Sequence, residues 1–137
     1  MNRTEYRVIY GDTDQMGVVY YANYLNLFER GRCEYMRERA FDYGAFEKAG
    51  FFFPVVEANC KYKAPARFDD LLVIETEISA VSRITVDFAY RVLCGTTLLT
   101  EGSTRHACLS QETGRPVRLP AAIRPLLLPQ FADVALV

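Results

Sequence analysis

The run from Ala22 to Arg39 constrains this chain most, because apolar residues recur there at helical spacing over several turns. At about 100° per residue, Tyr24, Leu27, Phe28, Gly31 and Tyr35 share one face, while Asn26, Arg30 and Arg37 take the opposite one. Gly31 sits in the middle of the apolar face, where it costs about 1 kcal/mol in helix propensity. That cost makes sense where the helix must approach a sheet closely. A chain with one such helix and strands on either side of it in sequence belongs to the α+β class.

The strands are read from composition and alternation. Tyr6 to Tyr10 is rich in β-branched and aromatic residues and predicts a short strand before the helix. Asp42 to Ala49 has room for one or two further helical turns. Phe51 to Tyr62 reads as a strand with Pro54 near its start. Phe52, Phe53, Val55 and Val56 are apolar on both sides and predict a strand covered on both faces. Pro65 ends or kinks it, Phe68 to Asp70 turns, and Leu71 to Val81 is the next strand. From Ile84 to Val92, apolar Ile84, Val86, Phe88, Tyr90 and Val92 alternate with Thr85, Asp87, Ala89 and Arg91, the pattern of a half-buried antiparallel strand. Gly95-Thr96 turns the chain. Leu98 to Leu109 is the last long strand, Gln111 to Gly114 a polar turn, and Ala121 to Leu128 a short helix entered near Pro120.

Length fits one domain spanning residues 1–137. The formal charge of -1 offers no global electrostatic argument for nucleic acid or an anionic membrane surface. No apolar stretch approaches the roughly 20 residues that span a bilayer, and Met1 to Glu5 lacks the apolar run of a signal peptide. The expectation is a soluble cytoplasmic protein with no nucleic-acid partner and no membrane insertion. Cys33, Cys60, Cys94 and Cys108 lack metal-ligand spacing and read as reduced thiols packed like small apolar residues. His106 is the one histidine. A histidine-dependent catalytic device would need it, and its strand-like surroundings favour a structural ring with satisfied nitrogens. No phosphate loop or dinucleotide fingerprint occurs, and no cofactor or metal is expected.

Between the first strand and the long helix lies Gly11-Asp12-Thr13-Asp14-Gln15-Met16-Gly17-Val18-Val19-Tyr20-Tyr21. It holds two carboxylates just ahead of a helix N-terminus. Such an end presents unpaired backbone N–H groups and a dipole that favours negative charge, so an anion or a developing oxyanion suits it. Gly17 permits a backbone turn that a Cβ would resist. Alone, an aspartate here also fits a turn or helix cap.

The stretch Gly11-Asp12-Thr13-Asp14-x-x-Gly17-Val18-Val19-Tyr20-Tyr21-Ala22-Asn23-Tyr24 resembles the signature of the 4-hydroxybenzoyl-CoA thioesterase family and is similar to that of the related tol-pal-associated acyl-CoA thioesterases. The similarity continues through Glu29-Arg30-x-Arg32 and at Tyr62-Lys63-Ala64-Pro65-Ala66-Arg67-Phe68-Asp69-Asp70, then fades into a compatible strand pattern to about residue 110. The resemblance implies a hotdog fold, a curved antiparallel sheet wrapped around one long central helix. It also implies dimers or tetramers built by sheet extension, an acyl-CoA substrate with a short or aromatic acyl group, and hydrolysis without metal or redox cofactor.

It implies roles for residues too. Asp14 matches the family's catalytic carboxylate, as nucleophile or as general base, and Asp12 holds the turn. Tyr21 matches the oxyanion position through its backbone N–H. The tol-pal-associated subgroup has histidine there, so the details of that subgroup do not carry across. Gly17 and Val18 would shape the loop, and Asn23 and Tyr24 either line the acyl pocket or begin the helix. Glu29 is a rival carboxylate, since some hotdog thioesterases carry theirs on the central helix; the alternative is a surface ion pair with a nearby arginine. Lys61, Lys63 and Arg67 form a basic cluster suited to the phosphates of CoA, or a solvated surface. A non-catalytic hotdog module binding an acyl thioester or a partner protein is the alternative reading; a hotdog dehydratase is disfavoured by the missing histidine motif.

Overall fold

The computed structural model describes residues 1–127. In chain order it contains β1 (Asn2–Arg7), a 3-10 turn (Tyr10–Asp12), α1 (Asn23–Glu38), α2 (Tyr43–Lys48), β2 (Phe51–Phe52), β3 (Val55–Tyr62), β4 (Leu71–Val81), β5 (Thr85–Cys94), β6 (Thr97–Ala107), β7 (Leu109–Ser110) and α3 (Arg124–Leu127). The main sheet is antiparallel with order β1-β4-β5-β6-β3, and β2 pairs with β7 as a separate two-stranded ribbon. Register shifts interrupt three of its ladders, at Val55/Glu57, Ile78/Ala80 and Val92/Leu93. Bulges of this kind bend strands, which suits a sheet that must cover a helix.

The helix turns the expected face to that sheet: Tyr24, Leu27, Phe28, Gly31, Tyr35 and Met36 are buried. Phe28 stacks on Tyr90 of β5 with ring centres 4.3 Å apart, and Tyr35 meets Phe88 edge-on at 5.9 Å. Gly31 explains itself here. A Cβ at that position would overlap Thr76 Oγ1 and lie 2.8 Å from Ile74 Cγ2, both on β4. The helix is therefore seated on the sheet at a depth only glycine allows.

Several boundaries differ from expectation. The first strand runs over Asn2–Arg7, not Tyr6 to Tyr10, because pairing with β4 sets its extent: Asn2 lies opposite Thr76 and Arg7 opposite Leu71. The segment 51–62 is not one strand. Pro54 has no N–H to continue a ladder, and the chain steps there from pairing with β7 to pairing with β6. Nor is β3 covered on both faces. It is an edge strand, and only Cys60 along it is even half-buried. The run Leu98 to Leu109 is likewise broken at Cys108 into β6 and β7. Among the described residues the short C-terminal helix covers Arg124–Leu127, beginning three residues after the expected Ala121; Leu128 of the expected helix lies outside them.

All four cysteines are free thiols, with Cys108 buried. No His/Cys/Asp/Glu group suited to a metal occurs among the described residues, and none of their helices is long and apolar enough to cross a membrane. His106 is 2% exposed. Its Nδ1 lies 3.1 Å from the Phe53 carbonyl, which only accepts, so Nδ1 carries the proton. Nε2 then accepts from the Thr104 hydroxyl at 3.0 Å, and Thr104 accepts from Tyr90 Oη at 2.6 Å. Burial pushes the imidazole down to about 4. This is a neutral core histidine with both nitrogens satisfied.

Candidate active site

The loop between β1 and α1 is organised by Asp12. Its Oδ2 accepts from Tyr6 Oη at 2.7 Å and from the Ile9 N–H at 2.9 Å. Its carbonyl accepts from the Tyr20 N–H at 2.8 Å and from Asn23 Nδ2 at 2.9 Å. One residue thus ties the end of β1 to the start of α1. Tyr6 is itself capped by the Arg30 guanidinium, 4.7 Å from its ring centre.

Asp14 lies two residues on and is half-buried. Its backbone closes a tight loop: the Asp14 N–H donates to Val18 O at 2.9 Å, and the Gly17 N–H to Asp14 O at 2.9 Å. Gly17 has φ 78°, the left-handed region that closure requires. Asp14 Oδ1 accepts from the Met16 N–H at 2.9 Å, which orients the carboxylate. The loop is fastened to the segment after β3 through Val19 N–H to Ala66 O at 2.8 Å and a bridge between Val18 and Arg67.

That fastening makes a cleft of about 330 Å³ lined by Asp14, Met16, Val18, Val19, Tyr21, Tyr24, Tyr62, Lys63, Ala64 and Pro65. One wall comes from the loop and the start of α1, the other from the end of β3. Tyr62 joins them, donating from Oη to Tyr21 O at 2.9 Å and meeting the Tyr24 ring at 5.5 Å. Burial, then a hydrogen bond with Cys60, raises the Tyr62 phenol to about 12. Burial also raises the Tyr24 phenol.

The N-terminus of α1 opens at this cleft. Ala22 is the N-cap and provides no side-chain cap, and no acidic residue lies in the first turn. The Asn23 N–H donates to Tyr20 O at 2.9 Å. That bond holds the Tyr20–Tyr21 peptide with its carbonyl toward the helix. In a trans peptide the N–H points the opposite way, so the Tyr21 N–H points out of the helix end. It has no acceptor among the described residues. Asp14, with its carboxylate oriented, and Tyr21, whose N–H has no acceptor among the described residues, therefore line one apolar cleft. Such a pair can attack, or activate water against, a carbonyl whose oxygen gains negative charge.

Of the residues singled out in the sequence, Asp14, Val18, Tyr21, Tyr24 and Lys63 line this cleft, and Gly17, Asn23, Lys61 and Arg67 do not. Gly17 and Asn23 build the loop instead, through the bonds above. Lys63 lies 3.5 Å from Glu101, while Lys61 and Arg67 have no ion pair among the described residues. Glu29 is elsewhere. It is exposed, pairs with Arg32 at 3.7 Å, and borders a separate depression of about 300 Å³ with Cys33, Met36, Tyr43, Phe53 and His106. Sequence reading missed Met16, Val19, Tyr62, Ala64 and Pro65. The signal was there for part of this set, since Tyr62 to Pro65 lies in the second matching motif.

The thioesterase-like superfamily matches residues 8–127. The acyl-CoA thioesterase YbgC of Haemophilus influenzae is 38% identical over 119 residues, covering 86% of this chain and 88% of that protein. Among solved structures, the hypothetical protein TT1821 from Thermus thermophilus superposes with a TM-score of 0.88 at 36% identity, covering 93% of this chain and 97% of the other. The DHNA-CoA thioesterase from Staphylococcus aureus superposes with a TM-score of 0.83 at 30% identity, covering 96% and 85%.

Proposed function

This chain belongs to the thioesterase-like superfamily and has its hotdog fold, and from that premise we propose that it hydrolyses an acyl-CoA thioester to the free acid and CoA, with Asp14 as the catalytic carboxylate. The observation that carries the proposal is that Asp14 and Tyr21, whose N–H has no acceptor among the described residues, line one cleft. The thioester carbonyl sits with its oxygen at the Tyr21 N–H. As nucleophile, an Asp14 oxygen adds to the carbonyl carbon, the oxyanion collapses, and the CoA thiolate leaves. Water then hydrolyses the mixed anhydride. As general base, Asp14 takes a proton from water, which adds directly. In a single turnover in ¹⁸O water, label entering the Asp14 carboxylate demonstrates the anhydride, because it requires water to attack at the Asp14 carbonyl; attack at the acyl carbon labels the product acid alone, as the general-base route does. The helix end stabilises the oxyanion in both routes.

The lining supports an acyl group that is apolar. Val18, Val19, Ala64, Pro65 and the rings of Tyr24 and Tyr62 offer little to a charged chain. A short-chain or aromatic acyl group fits such a lining, and a relative that acts on DHNA-CoA supports the aromatic option. Lys61, Lys63 and Arg67 lie along and beyond the β3 wall, suited to the CoA phosphates as mobile side-chain contacts.

The protein works as a homodimer or homotetramer in this reading. Tyr62, Val55 and Val56 are exposed on the edge strand β3 at 49%, 43% and 57%, and an apolar free edge invites a second chain. Since the cleft is walled by the end of β3, sheet extension there would complete it. The test is a thiol-release assay over a panel of acyl-CoA esters with wild-type protein and Asp14→Asn. Turnover of at least one ester, abolished in the variant, is expected. Full activity in Asp14→Asn would remove Asp14 from the mechanism.

A further inference from the structure

Outside the cleft, two aromatic rings lie stacked in the open. Tyr10 and Phe68 are parallel within 3°, with centres 3.8 Å apart, yet Tyr10 is 74% exposed and Phe68 44%. The backbone holds them there. Val8 N–H donates to Asp70 O at 3.0 Å, and Asp69 N–H to Val8 O at 2.9 Å. This pins the turn after Phe68 beside the end of β1, with Tyr10 two residues further on. Thr13 anchors Tyr10 from the other side, its N–H and hydroxyl both donating to Tyr10 O. The stack is thus a fixed shelf, with an outer tyrosine face that the fold leaves uncovered.

The shelf lies close to the cleft. Pro65 lines the cleft, Phe68 is three residues on, and three residues of extended chain span at most about 10 Å. A phosphopantetheine arm is longer than that. Arg67 lies between them in the chain, exposed and without an ion pair among the described residues. The acidic neighbours are already engaged: Asp69 lies 3.8 Å from Arg7, and Asp70 Oδ2 accepts from the Arg67 N–H at 2.8 Å. An uncovered flat aromatic face, with the neighbouring residue in the chain an exposed arginine lacking an ion pair among the described residues, suits a purine ring that carries phosphates.

We propose that the Tyr10–Phe68 stack is the platform on which the adenine ring of a bound CoA thioester lies, with Arg67 toward its phosphates. The inference rests on the acyl-CoA reading above and extends it to the far end of the substrate. Bases stack on aromatic side chains without regard to their hydrogen-bonding edges, so the shelf adds affinity for the nucleotide and leaves acyl selection to the cleft.

The experiment compares Tyr10→Ser and Phe68→Leu with wild type on an acyl-CoA and on the N-acetylcysteamine thioester of the same acid. Loss of the stack should raise KM for acyl-CoA about ten-fold, with a far smaller change for the truncated ester. Adenosine 3′,5′-bisphosphate should bind wild type in calorimetry and inhibit acyl-CoA hydrolysis competitively, and Tyr10→Ser should lose both. Equal changes on the two esters would mean that the ring acts through the Asp14 loop, and the proposal falls. A lowered sedimentation coefficient with unchanged nucleotide binding would mean a contact between copies, and it falls as well. The calorimetric arm needs no turnover. Tyr10-dependent bisphosphate binding in a protein that hydrolyses no acyl-CoA would sustain the platform while overturning the function.

Discussion

Replacing Gly31 with alanine should destabilise the protein, against what helix propensity alone dictates. In an exposed helix the change gains about 1 kcal/mol. Here the new methyl would overlap Thr76 Oγ1 and press on Ile74 Cγ2 at 2.8 Å. Both belong to fully buried residues of β4, where neighbours leave little room to shift. Overpacking of this kind costs roughly 1–3 kcal/mol, so the net expectation is a loss of up to about 2 kcal/mol. At this chain length that is a fall of up to roughly 8 °C in Tm. The Thr76 hydroxyl has no hydrogen-bond partner among the described residues, so Thr76→Ala removes the obstructing atom without orphaning another. The double variant Gly31→Ala/Thr76→Ala should therefore be less destabilised than the sum of the single ones. The helix carries Tyr21 at its start, so lifting it off the sheet should also lower kcat in the single variant. Urea unfolding and thermal melts at one fixed protein concentration measure the effect. If Gly31→Ala raises Tm, the close seating of α1 on β4 is wrong.

Four further outcomes are expected. Asp14→Asn should keep the fold, because its amide oxygen can still accept from the Met16 N–H, while kcat falls by about 10²–10⁴-fold; a dead Glu29→Gln beside an active Asp14→Asn would transfer catalysis to the helix carboxylate. Neutralising Lys61, Lys63 and Arg67 together should raise KM for acyl-CoA at low salt, with the difference shrinking as salt screens charges over about 10 Å at 0.1 M; unchanged kinetics would leave the cluster as solvated surface. Sedimentation at micromolar concentration should give a dimer or tetramer, and a compact active monomer would refute assembly through β3. For His106, the folded pKa of about 4 lies below the unfolded value near 6.5. The unfolded chain then binds the extra proton first, so this contribution is fully present above pH 6.5 and is lost as pH falls through that window toward 4. It amounts to about 3 kcal/mol at most. A variant lacking the imidazole should show a flatter stability profile between pH 4 and 6.5, and an unchanged profile would mean that the ring is not held neutral.

What the sequence made legible followed from periodicity within one element. The buried face of α1 is readable because Tyr24, Leu27, Phe28, Gly31 and Tyr35 repeat at helical spacing, and β5 because its apolar residues alternate. Misreadings arose where partners decide. Asn2 to Arg7 has weak strand propensity of its own and is made a strand by pairing with β4, where Glu75 binds both Arg3 at 2.9 Å and Arg91 at 3.2 Å. Apolar Val55 and Val56 looked like buried strand residues, but within one chain they lie on an open edge. The motif singled out Asp14 and Tyr21, yet nothing local places Tyr62 in the same cleft, because that meeting depends on the Val18–Arg67 and Val19–Ala66 pairings across the fold. The long motif carried information that propensity lacks.

Besides the bonds that fasten them together, the two walls of the cleft each have an anchorage of their own. Asp12 secures the reactive wall by its own bonds to β1 and α1, whereas the opposite wall hangs from β6 through the Lys63 and Ala64 N–H groups, both donating to Leu99 O. Side-chain changes at Lys63 or Ala64, which leave these backbone bonds and the Tyr62–Tyr21 link in place, can therefore accumulate in a lineage without displacing the carboxylate or the helix end. Such a design lets descendants trade one acyl group for another by drift on a single strand end, while the chemistry they inherit stays intact.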